Sequence, residues 1–167
     1  MKKVPDENAA LKMAVMVARD SPCAKSKRGV IVFDRRWGLL AAGNNHPPEG
    51  FRCDGSDACR EHCNKLCVHA EMDALSELNR EMGIRSEYHA LLTDEERIIL
   101  KPEMLHVKVV DSEAVPSGHP SCWQCSRHII NFGIVAMWLL HEDGLRRYGP
   151  QEFHEHTLRN LQLPVIK

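Results

Sequence analysis

The hydrophobic pattern along the chain switches between two periods. In DENAALKMAVMVARDS, Ala10, Met13, Ala14 and Val17 recur at helical spacing behind acidic residues, and Ser21 and Pro22 end the run. This predicts an amphipathic helix. RGVIVFD and LLAAGNN are short apolar runs separated by RRWG, the pattern of a β-hairpin ending near Asn44. From Asn45 to Leu66 the chain is rich in Gly, Pro, Cys and charge without a clear period, so mostly loop is expected. VHAEMDALSELNREMG then repeats apolar residues at Ala70, Ala74, Leu75 and Leu78 and closes on Gly83, which reads as a helix with a C-terminal glycine. LHVKVVD (Leu105 to Asp111) and IVAMWLL are strand patterns, and SCWQCSRHIINFG is a helix pattern ending at Gly133. GPQEFHEHTLRNL has Pro150 placed for a helix N-terminus. Strands alternating with helices imply an α/β sandwich with a partly parallel sheet.

No repeat, low-complexity tract or linker divides the 167 residues, so one domain over 1–167 is expected, long enough to bury a core. No apolar run approaches the roughly 18 residues of a membrane span. MKKVPDENAA has lysines but no apolar stretch behind them, so a cytoplasmic protein is expected. The net charge of -1 gives no broad positive field for sequence-independent nucleic-acid binding. The basic clusters are small: Lys25, Lys27 and Arg28; Arg35 and Arg36; Arg146 and Arg147. Each reads as solvated surface, or as a partner for a single phosphate.

The candidate chemistry begins with His69 and Glu71 in CVHAEMDAL. Residues two apart on a helix point in nearly opposite directions, so the pair has no same-face contact to make. PSCWQC supplies Cys122 and Cys125 at a second expected helix start. Two helix N-termini side by side would offer His69, Cys122 and Cys125 as three zinc ligands, with thiolates favoured by the positive helix ends. A His/Cys/Cys set leaves a fourth tetrahedral position open, the mark of a catalytic rather than a structural site. That position gives Glu71 a role: it takes a proton from water and hands it to the substrate. Alone, Cys-x-x-Cys is equally a redox pair or half a zinc knuckle, but the combination is the zinc deaminase set.

VHAEMDAL and PSCWQC resemble the paired motifs of the cytidine deaminase superfamily. SPCAKSKRGVIV followed by GNNHPPEG is similar to its deoxycytidylate deaminase branch. The resemblance runs from about Asn8 to Leu140. It departs where Ser121 stands between Pro120 and Cys122, where AVPSGHPS replaces the usual approach, at Asn44 and His46, and in about twenty extra residues from Arg85 to Met104. The resemblance implies a three-layer α/β/α sandwich on a central mixed five-stranded sheet, one catalytic zinc, and hydrolytic deamination of a cytosine-type nucleotide. It assigns Glu71 the proton transfers, Asn45 the sugar, and Ala70 and Ser121 the base edge, with Lys27 and Arg28 open to a 5′-phosphate. It also implies a homo-oligomer with a small-molecule nucleotide or base as substrate.

Five cysteines remain. The resemblance to phage-type members implies a second, structural zinc on Cys23, Cys53, Cys59 and Cys67, with Cys63 or His62 as alternates. A closed thiolate site would tie the long loop to the core. Free thiols, with Cys67 a small buried hydrophobe, are the other reading. For the function as a whole the alternatives are a deaminase of another amino-heterocycle (guanine, a pterin or riboflavin precursor, a secondary metabolite), a tRNA or single-stranded DNA deaminase, and a zinc-stabilised binding module. Polynucleotide deaminases need a basic channel and stacking aromatics, and only 5% of the residues are aromatic.

Overall fold

The computed structural model describes residues 6–89, 100–120 and 122–165. Helix α1 (Glu7–Arg19) leads into a hairpin of β1 (Lys27–Asp34) and β2 (Gly38–Asn44), then α2 (Asp57–Leu66) and α3 (Ala70–His89). Strands β3 (Glu103–Val110) and β4 (Glu113–Val115), helix α4 (Trp123–Asn131), strands β5 (Ala136–His141) and β6 (Gly144–Tyr148), and helix α5 (Pro150–Asn160) complete the order. The main path of the sheet is β2-β1-β3-β5-β6, with β4 paired to β3. Among the described strands only β3 and β5 run parallel.

The two faces of the sheet carry separate cores. Ile31, Phe33, Leu105, Val107 and Val109 alternate onto the face covered by α1. Helix α1 meets them with Ala10, Ala14 and Ala18, all fully buried, so its small stripe lies close to the strands. Val30, Val32, Met104 and Met137 face the other way, against Ala70, Ala74 and Leu75 of α3, Ile129 of α4 and Phe153 of α5. The strand period of two thus produces a three-layer α/β/α sandwich.

Three details differ from the sequence reading. The described sheet has six strands rather than five, because a turn through Asp111 and Ser112, both at positive φ, folds the short β4 back on β3. The stretch read as loop contains α2, whose first turn is capped by Ser56 accepting from the Cys59 amide at 3.1 Å. Helix α3 continues through Gly83 to His89; glycine lowers helix propensity by about 1 kcal/mol without forbidding it. Of the Arg85 to Met104 insertion, residues 90–99 lie outside the described residues.

Two glycines set how close the helices come. A Cβ on Gly29 would sit 2.4 Å from the Ala14 carbonyl oxygen, and one on Gly43 would sit 2.3 Å from the Ala74 nitrogen and 2.7 Å from the Ala70 oxygen. Gly43 pairs with Val30 and Gly29 with Asn44, so α1 and α3 press on the same part of the hairpin from opposite sides.

Candidate active site

The start of α3 is held to the end of the hairpin by two sets of bonds. His46 and Val68 exchange backbone hydrogen bonds of 3.2 and 2.8 Å, and Asp73 accepts the Asn44 amide at 3.0 Å. His69 directly precedes the helix, and its carbonyl accepts the first helical bond, from Asp73 at 3.0 Å. Its ring is fixed as well: Nε2 lies 3.1 Å from the Asn64 carbonyl oxygen. A carbonyl only accepts, so Nε2 carries the hydrogen and the Nδ1 lone pair is turned the other way.

Nδ1 meets the second helix start. It lies 3.3 Å from Cys125 Sγ. Cys122 is the N-cap of α4, with its sulfur accepting from the Cys125 amide at 3.4 Å. His69, Cys122 and Cys125 bring their ligand atoms within 4.8 Å of one another, the one such group among the described residues. A tetrahedral zinc site with the usual bond lengths separates sulfur from nitrogen by about 3.6 Å, so this donor set fits that ion. The electrostatics agree. The hydrogen bond from Cys125, then those with His69 and the Cys125 amide, bring the Cys122 thiol down to about 5 against the cost of burial. Its bond to Cys122 takes His69 up to about 9, while the Cys125 thiol is driven up by sharing with Cys122 and by burial. Cys122 thus stands ionised beside an imidazole and a thiol that hold their protons, and a cation would deprotonate both.

A cavity of about 520 Å³ opens beside the trio. Glu71 lines it from α3. Burial raises its carboxyl, yet His106, the local backbone, His69 and Arg28 together hold it below the usual carboxylate range, so it stands ionised at neutral pH.

The other sequence-derived candidates are placed as follows. Asn45 and Ala70 line the cavity. The Asn45 amide already works within the fold: Oδ1 accepts from the Arg28 amide at 2.7 Å and Nδ2 donates to the Ser26 carbonyl at 2.9 Å. Arg28 lines the cavity, whereas Lys27 Nζ donates to the Arg19 carbonyl at 2.7 Å and is not part of the lining. Ser121 lies outside the described residues. The loop thiols meet pairwise. Sγ atoms are 3.5 Å apart for Cys23 and Cys63, 3.7 Å for Cys63 and Cys67, and 3.6 Å for Cys53 and Cys59. Cys63, an alternate in the sequence reading, is the buried centre of this group, and His62 is exposed.

Among the lining residues that were missed, Lys65, His106, Ser117 and His119 carry polar or charged groups suited to a substrate. A signal existed for His106, since it stands at an inward position of LHVKVVD where Met104 two residues earlier is core.

No protein-family model and no curated protein matches the sequence. Solved structures do match. The dCMP deaminase of cyanophage S-TIM5 in apo form is 23% identical over 78% of each chain, with a TM-score of 0.51. The same enzyme in complex with dCMP and dUMP is 24% identical over 82% of each chain, TM-score 0.52. The cytidine deaminase of Burkholderia pseudomallei is 16% identical, covers 89% of this chain and 95% of its own, and has a TM-score of 0.53. The strand order, the two facing helix starts and these likenesses together identify the fold as that of the cytidine deaminase superfamily, its dCMP deaminases included.

Proposed function

We propose that this chain is a zinc-dependent hydrolytic deaminase of a free cytosine-type nucleotide, converting deoxycytidylate or a close relative to the uracil-type product and ammonia. The observation that carries the reading is Glu71, an ionised carboxylate in the wall of a cavity that also holds His69 and Cys122. A structural zinc site has no use for that carboxylate, which sets aside a mere binding module.

His69, Cys122 and Cys125 would hold the ion, and a zinc ion there supplies the Lewis acidity that makes water nucleophilic near neutral pH. Glu71 moves the protons. It accepts one from the attacking water as the C–O bond forms at the amino-bearing carbon, and delivers it to the adjacent ring nitrogen. It carries the second proton to the amino group, whose C–N bond breaks to release ammonia as the carbonyl forms. Water and the amidine are consumed, and one carbonyl and one ammonia result. Arg28 and Lys65 line the same cavity and supply cations for a phosphate. The cyanophage relative is described in complex with dCMP and dUMP, which favours a nucleotide over a free base. The cavity is also lined by Ser117, Gly118, His119 and Pro120 of the unusual AVPSGHPS segment, and this favours, as a second reading, another amino-heterocycle. The same proposal keeps a structural zinc on the loop thiols. Their sulfurs meet in pairs 3.5 to 3.7 Å apart, near the roughly 3.8 Å of a tetrahedral thiolate site, though among the described residues no three of them lie within 4.8 Å of one another, so the pairs would have to close around the ion.

The test is ammonia release from cytosine, adenine and guanine bases, nucleosides and nucleotides by zinc-loaded protein. Deoxycytidylate should be the preferred substrate. Glu71→Gln should keep its zinc and lose at least about a hundredfold in turnover, the usual scale for a general acid-base group. Release by the variant at the parental rate would remove Glu71 from the chemistry.

A further inference from the structure

Two buried polar atoms of the described structure have no hydrogen-bond partner, His106 Nδ1 and Ser117 Oγ. Both residues line the cavity that holds Glu71. Leaving such a group unpaired costs stability, and its retention asks for an explanation outside the fold. The two are neighbours by topology. Lys108, two residues after His106 on β3, pairs with Val115 at the end of β4, two residues before Ser117. His106 pairs with Leu139, and the Ser117 amide donates to the next carbonyl, that of Leu140, at 2.8 Å. Strand β3 therefore presents an imidazole, only 4% exposed, and the segment after β4 a hydroxyl, at one wall of the cavity.

Resting on the deaminase reading above, we infer that His106, with Ser117 beside it, recognises the ring carbonyl of the substrate by donating a hydrogen bond to it. A cytosine ring has one polar side, on which the amino group, the ring nitrogen and the carbonyl follow in order. The amino-bearing carbon must face the trio and the ring nitrogen Glu71, so the carbonyl falls next in line. His106 lines the same cavity as Glu71 and His69, and we place it at that next position. Of the charged groups acting on it, Glu71 is the strongest, ahead of Arg28 and His69. Its ring is neutral at working pH and so has one N–H to give. A hydroxyl from Ser117 supplies a second donor, and a carbonyl oxygen has two lone pairs to receive them. A substrate with only C–H at this position would leave both groups unpaired and be rejected.

The test compares deoxycytidylate with its 2-thiocarbonyl analogue, whose sulfur is a poor acceptor. KM and kcat are measured on zinc-loaded protein, and affinity in Glu71→Gln. Wild-type protein should favour the carbonyl ring by at least about fivefold in KM and in affinity, the scale of one hydrogen bond. In His106→Phe that ratio should fall to within about twofold with zinc content unchanged, and Ser117→Ala should lower it partway. A structural role for His106 would shift thermal stability and leave the ratio alone. If the Phe variant does not fold, His106→Asn, too short to reach the same atom, should also bring the ratio toward one. Wild-type protein that deaminates both rings equally, or a His106 variant that keeps the wild-type ratio, overturns this inference and spares the deaminase reading. Protein that neither binds nor deaminates either ring overturns both.

Discussion

The chain holds two sulfur-rich clusters separated by a single residue in sequence, Val68 between Cys67 and His69, and they are built in opposite ways. In the first, Cys23, Cys63 and Cys67 touch in turn and Cys53 touches Cys59, and the one carboxylate beside them, Asp54, is exposed and bonded to the Cys59 thiol. In the second, two thiols share the site with an imidazole, and an ionised Glu71 stands nearby. Burial and its sulfur neighbours push the Cys63 thiol up to about 12, whereas Cys122, bonded to Cys125 and His69 at a helix end, is brought down to about 5. Residue type alone therefore does not decide what a cysteine does. Placement at a helix N-terminus, beside His69 and a cavity, makes Cys122 reactive; burial among other sulfurs keeps Cys63 inert.

The sharpest break of that contrast is chemical labelling of metal-stripped protein. At pH 7 the thiolate fractions of Cys122 and Cys63 differ by ~10⁵. Iodoacetamide should find Cys122 first, at a rate flat from pH 6 to 8 because its titration is already complete, whereas an ordinary thiol gains about tenfold per pH unit over that range. Labelling of Cys63 ahead of Cys122 would erase the distinction. Next, Cys122→Ser or Cys125→Ser should lose both catalytic zinc and turnover, by about a thousandfold or more, since no other group holds the ion. Zinc content and rates equal to the parent's would move the site elsewhere. Cys53→Ser and Cys63→Ser should act on the other cluster only: zinc falls from two ions per chain to one, thermal stability drops, and turnover per folded molecule stays within about threefold. A fully active parent with a single zinc by elemental analysis would show the loop thiols to be free. The smallest effect concerns the cavity rim: Arg28→Ala should weaken deoxycytidylate by about tenfold and the nucleoside hardly at all. Equal losses on both would remove the phosphate contact.

Much of this was legible in the sequence because it depends on local pattern. His69, Glu71, Cys122 and Cys125 are marked by spacing at helix starts, and the sandwich by alternating periods. What escaped depends on register and packing. Helix α2 hides in a polar, cysteine-rich stretch whose only strong local signal is the Ser56 cap, and β4 is too short for alternation to be visible. Lys27 and Arg28 are adjacent and chemically alike, yet the strand sends Arg28 to the cavity and Lys27 to the Arg19 carbonyl; a one-residue step on a strand reverses the side-chain direction. Ser117 enters the site only because β4 returns along β3, a pairing that no linear pattern announces.

The close approach at Gly43 has a consequence for engineering. Replacing glycines by alanine is a standard route to a more stable protein, since it reduces the freedom of the unfolded chain where the backbone accepts a side chain. Here an added methyl would meet the backbone of Ala70 and Ala74, on the very turn that follows His69 and contains Glu71. Relief requires that turn to lift away from the hairpin, carrying an imidazole and a carboxylate with it. Displacements of that size in a catalytic group lower rates by orders of magnitude. Gly43, which does not line the cavity, is thus as intolerant of change as a residue that touches the reacting atoms.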